Sequence, residues 1–161
     1  MARSPAESAV VAAIQNLGVP FEAIEIDPAF ADTRAFCEKY GYRPEQSCNT
    51  LIVASKKEPK KFVACVVLAH TKLDVNRCVT NLMGVSKASF ASAEEMMALT
   101  GMEVGGVTPL SLPAGMPLYV DNRVVSTDWV ILGGGGRSLK IKISPEVFKK
   151  LGGEIVTGLA T

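Results

Sequence analysis

A chain of 161 residues can bury one sizeable core, and at 48% hydrophobic and 20% charged residues it is too apolar to be disordered. Its net charge of only +1 excludes a protein that grips nucleic acid by bulk charge, so any RNA contact has to be local. No apolar run approaches the ~20 residues that span a bilayer, and the opening MARSPAESAVVAAIQNLG holds no cleavable apolar core.

Expectations about compartment follow. Cys37, Cys48, Cys65 and Cys78 are widely spaced, with no CxxC and no histidine beside them. That pattern predicts free thiols in a reducing cytoplasm, with no metal site and no cofactor. Neither a membrane nor DNA is expected as a partner.

In chain order, SPAESAVVAAIQNLG predicts a helix with Ser4 as cap, Pro5 in the first turn and Gly18 as stop. FEAIEID predicts a strand ended by Pro28, and ADTRAFCEKYG a short helix stopped by Gly41. TLIVAS and KFVACVVLA flank the charged KKEPK and predict a β-hairpin with a solvated tip. DVNRCVTNLMG sets Val75, Cys78, Val79, Leu82 and Met83 at helical spacing behind an Asp74 cap. SAEEMMALTG carries a Ser92–Glu95 capping box and ends at Gly101.

PLYVD and DWVIL predict strands. SLKIKI alternates, with Leu139, Ile141 and Ile143 on one face. SPEVFKKLGG predicts a last helix, with Ser144 as cap, Pro145 at its first position and Gly152 as stop. Helices and strands interleave without strict alternation, and no linker or repeat divides residues 1–161. The expected architecture is a single α+β domain around one mixed sheet.

Three motifs invite chemistry. GGGG (Gly133 to Gly136) would suit a dinucleotide only if a helix followed, but a strand follows, so it is read as a hairpin turn or a wall for a ligand. His70 is the single histidine, and its place at the end of a β-run suits a surface residue better than a general base. In GGVTP, Pro109 fixes its own φ and drives Thr108 extended, so the loop can aim successive N–H groups at one point. Such donors stabilise an oxyanion without any ionisable side chain.

The ordered set DPA, NTLIVA, FVACVVL, KLDVNRC, TGMEVGGVTPL, YVD, GGGGRSLKIKIS and LGGEIV resembles the YbaK/ProX family of aminoacyl-tRNA trans-editing deacylases. That family also supplies the editing domain inserted in bacterial prolyl-tRNA synthetases. The resemblance implies a central mixed, barrel-like β-sheet flanked by helices. It implies hydrolysis of the ester on a mischarged tRNA with no protein nucleophile, a 2′-hydroxyl of the terminal adenosine helping to place the water.

By the same resemblance, Gly105 and Gly106 would supply the oxyanion donors. Asn49, Thr50, Val107, Thr108, Pro109, Gly133, Gly134 and Gly135 would bind the substrate. The local basic set with Arg137, Lys140 and Lys142, read from the sequence itself, would hold tRNA, and a synthetase could deliver it. The sequence departs from the family pattern at three positions. Asn49 stands where active members carry a lysine, Gly133 where a serine is common, and Lys140 where an acidic residue occurs. The loss of the lysine leaves a second reading open: a non-catalytic module that binds aminoacyl-tRNA or an aminoacyl-adenosine and docks to a synthetase.

Overall fold

The computed structural model describes residues 3–161. Five α-helices are spaced along the described residues: α1 (Pro5–Leu17), α2 (Thr33–Tyr40), α3 (Thr80–Met83), α4 (Ala93–Thr100) and α5 (Val147–Lys150). The strands are β1 (Phe21–Glu25), β2 (Cys48–Ser55), β3 (Phe62–Leu68), β4 (Ala88–Phe90), β5 (Leu118–Asp121), β6 (Val130–Gly133), β7 (Leu139–Ile143) and β8 (Glu154–Val156). They form a three-stranded sheet, β1-β7-β6, and a five-stranded sheet, β4-β2-β3-β5-β8.

The smaller sheet is antiparallel throughout. In the larger one β2 pairs antiparallel with β3 and β4, while β3–β5 and β5–β8 are parallel. The fold is thus mixed α+β, as expected, but its strands do not close into a barrel. Among the described residues only the isolated bridge Ser47–Ile131 joins the two sheets, and no ladder closes around them.

The core follows from which faces are apolar. Leu139, Ile141 and Ile143 turn inward together and meet Val10 and Ile14 of α1 in the main cluster. β2 and β3 are apolar on both faces because a second cluster, with Val53, Cys65, Val67 and Leu159, lies on the other side. A third cluster, Phe36 with Tyr40, Tyr42 and Trp129, seats α2 on the outer face of the smaller sheet. Phe36 stacks on Tyr42 with ring centroids 5.1 Å apart.

Several caps are as read. Ser4 and Ser92 each close a capping box, with Glu7 and Glu95, and the KKEPKK tip is exposed. Two helices are shorter than expected. The stretch after Asp74 begins as a wide π-turn over Val75–Val79 before one α-turn forms. α5 starts only at Val147, although the Ser144 hydroxyl still accepts the Glu146 N–H at 3.3 Å.

Candidate functional site

The GGVTP loop and the GGGG turn pack backbone against backbone. Glu103 N–H donates to Gly135 O at 3.0 Å, and Gly135 N–H returns to Gly106 O at 2.7 Å. The contact tolerates no side chain. A Cβ on Gly106 would lie 2.4 Å from Gly136 O, and one on Gly133 would lie 2.4 Å from Val107 O. The four glycines are therefore a buried junction, not the flexible hairpin tip that was one of the two sequence readings.

Arg137 straps this junction down. Its Nη1 donates to Val104 O at 2.8 Å, its Nη2 to Pro28 O at 3.1 Å, and its N–H to Glu103 Oε2 at 3.0 Å. From beneath, Lys140 Nζ donates to Gly105 O at 3.0 Å. In a trans peptide the N–H of one residue points opposite to the C=O of the residue before it. With the carbonyls of Val104 and Gly106 held by the junction, the N–H groups of Gly105 and Val107 turn away from it, and neither donates to another described residue. The N–H of Gly106 instead donates to Glu103 O at 2.9 Å. Gly105 can sit this way because its φ of +87° suits a residue without Cβ.

Beside the loop opens a cavity of about 540 Å³, reached by Gly105, Val107, Gly133, Asn49, Thr50 and Lys140. Apolar Ile52 and Met96 line it as well. Asn49 is oriented by Thr33, whose hydroxyl donates to Asn49 Oδ1 at 2.6 Å. The Thr50 hydroxyl is buried with no hydrogen-bond partner among the described residues. Burial pushes the thiol of Cys48, also in the wall, well above the usual cysteine range.

Residues 27–151 match the aminoacyl-tRNA editing domain family. The chain belongs to that family. A relative from Enterococcus faecalis, a candidate Cys-tRNA(Pro)/Cys-tRNA(Cys) deacylase called EbsC, is 21% identical over 140 residues, covering 86% of this chain and 84% of that protein. The crystal structure of a candidate trans-editing enzyme for prolyl tRNA synthetase has a TM-score of 0.83 at 22% identity, covering 97% of this chain and 98% of that one. Hypothetical protein APE2540 has a TM-score of 0.85 at 25% identity, covering 95% and 99%.

Not every residue expected at the site of this editing domain reaches the cavity. Gly106, Thr108, Pro109, Gly134 and Gly135 are buried behind it. Gly134 and Gly135 are pressed against Leu139 and Ala6, so their role is to let backbones meet. Arg137, Lys140 and Lys142 do not form an open basic patch. Lys142 Nζ lies 4.3 Å from the Trp129 ring centroid, and Lys140 is only 4% exposed, beneath Phe36. Strict alternation put both lysines on the polar face of β7; α2 covers that face, which no local pattern reveals.

Sequence reasoning missed Glu7. It is buried and accepts from Ser4 N–H at 2.9 Å, Ser138 N–H at 3.0 Å and Ser138 Oγ at 2.7 Å, tying α1 to the turn below the junction. Burial raises its pKa, but the hydrogen bonds from Ser4 and Ser138 outweigh that and hold it below the usual carboxylate value. The Ser4–Glu7 spacing was the available signal. His70 is exposed in the turn after β3; it does not line this cavity but an adjoining one that shares Thr33, Arg34 and Asn49 with it. Among the described residues no helix is long and apolar enough to cross a membrane, and no cluster of His, Cys, Asp or Glu is placed to hold a metal ion.

Proposed function

We propose that the protein hydrolyses the ester bond of a mischarged aminoacyl-tRNA. The observation that carries this reading is the pair of unspent N–H groups at Gly105 and Val107, on a loop that lines a cavity and is held rigid from behind. An ester carbonyl placed against the loop meets these donors as it becomes tetrahedral, and preorganised donors of this kind each contribute about 2.7–4 kcal/mol to lowering the barrier. The pair differs from the one expected from the sequence, because the Gly106 donor is already engaged.

Water is the nucleophile in this reading. Cys48 is the cysteine in the cavity wall, and burial holds it as a thiol. The terminal adenosine's 2′-hydroxyl, beside the attacked carbonyl, places the water, and Asn49 offers that nucleotide neutral hydrogen bonds. Arg137 acts on the loop through Val104 O; tRNA contact falls to exposed basic residues such as Arg34 at the cavity rim.

A deacylation screen over a panel of mischarged tRNAs tests the proposal, with turnover of at least one as the expected result. Binding without turnover of any would favour the second reading, a non-catalytic module, for which the neutral Asn49 is the supporting observation.

A further inference from the structure

Two buried side chains in the cavity wall keep polar hydrogens that no described residue accepts. Lys140 is 4% exposed, and among the described residues no carboxylate lies within ion-pairing distance of it. One of its three N–H bonds goes to Gly105 O, leaving two. Thr50 is 9% exposed with an unpartnered hydroxyl. Asn49, next to Thr50 on β2, projects from the opposite face and is held by Thr33. A low-dielectric wall bearing a cation and spare donors is suited to oxygen atoms with negative charge.

We infer that Lys140 and Thr50 form an anion subsite that selects an aminoacyl group with a side-chain carboxylate, as in aspartyl or glutamyl esters. The inference rests on the cavity being the aminoacyl site proposed above. A carboxylate on a flexible side chain can reach a nearly buried ammonium, whereas the nucleotide's phosphate stays at the hydrated rim. Asp32 lines the same cavity and is the strongest counter-charge felt by Lys140, yet among the described residues no carboxylate comes within ion-pairing distance of its ammonium. Asp32, at the start of α2, is largely exposed and 3.6 Å from Arg137, and the Cys37 thiol shares a hydrogen bond with Ser47. Burial lowers the pKa of Lys140 to about 8, with Arg137 adding to the shift and Asp32 and Cys37 opposing it. The preference for a carboxylate therefore fades as pH rises past that value.

The test is calorimetric binding of non-hydrolysable probes, in which aspartate, glutamate, asparagine or glutamine is joined by an amide to 3′-amino-3′-deoxyadenosine. The acidic probes should bind about tenfold more tightly than their neutral counterparts, the scale of one charge-assisted hydrogen bond. Lys140→Met should erase that ratio and Thr50→Val should reduce it. Equal affinities, no binding of any probe, or a preference that survives Lys140→Met would overturn the inference. So would a Lys140-dependent gain from adding a 5′-phosphate to the asparaginyl probe, since the anion would then belong to the nucleotide. Failure of the broader reading looks different: carboxylate preference intact, yet no mischarged tRNA hydrolysed. Hydrolysis without acidic preference would sink only the subsite.

Discussion

The glycine junction and the cavity wall sit side by side yet are built on opposite plans. In the junction, residues 103–107 and 133–137 meet main chain to main chain, and most polar groups are spent on each other or on Arg137. In the wall, Thr50 and Lys140 hold side-chain groups in reserve. A rigid backbone frame can aim N–H groups at a reacting carbonyl whatever the substrate's side chain. The reserve groups give the cavity its chemical preference. The two halves should therefore fail differently when mutated.

The largest effect should come from closing the junction. Gly106→Ala and Gly133→Ala each bring a methyl against main-chain atoms that cannot swing aside. Overpacking typically costs about 1–3 kcal/mol, and contact with unyielding main chain puts these changes at the upper end. The cost is read as a shift in the urea midpoint, and turnover should vanish with it. Wild-type stability in both variants would mean that the loops are free to separate.

Val107→Pro separates geometry from stability within the same loop. It removes an N–H that bonds to no described residue, so the loss of stability is confined to the trimmed packing of a half-buried side chain, about 1 kcal/mol. The rate of deacylation should fall by about 10²-fold or more. A folded Val107→Pro protein with normal turnover would remove that donor from the mechanism.

Glu7 supports the junction from below, and its contribution should depend on pH. Its folded pKa is lowered, so the stabilisation is complete above the unfolded carboxylate value and is lost as pH falls through the folded one. Glu7→Gln should cost about 2 kcal/mol at neutral pH, and the denaturation curves of variant and wild type should converge in acid. A gap that persists undiminished at low pH would assign the loss to packing rather than charge.

How much of this was legible beforehand depends on how local the signal was. Caps and stops such as Ser4, Gly18, Gly41 and Ser92 need only their neighbours, and they stand where the sequence placed them. GGVTP and GGGG were each visible, but their mutual packing joins segments about 30 residues apart and has no local mark. The edge strands β4 and β8 are three residues each, too short to show alternation. Lys140 is the sharpest case: alternation on β7 says which residues share a face, not that Phe36 will cover it. The burial that makes Lys140 interesting is a tertiary property.

The smallest effect should come from Thr50, and its direction is the informative part. A buried hydroxyl without a partner costs the fold about 1–3 kcal/mol relative to one that is satisfied. Valine has nearly the same shape and nothing to desolvate, so Thr50→Val should leave the fold as stable or stabilise it by about 1 kcal/mol. For a chain of this size that is a rise in Tm of about 2–4 °C by calorimetry. The same change should weaken binding of the acidic probes, because the hydroxyl's partner is the ligand. The packed glycines of the junction cannot behave this way; filling Gly106 or Gly133 costs stability and function together. A Thr50→Val protein with a lower Tm and unchanged binding would move Thr50 to the structural side of the comparison and leave Lys140 to hold the anion alone.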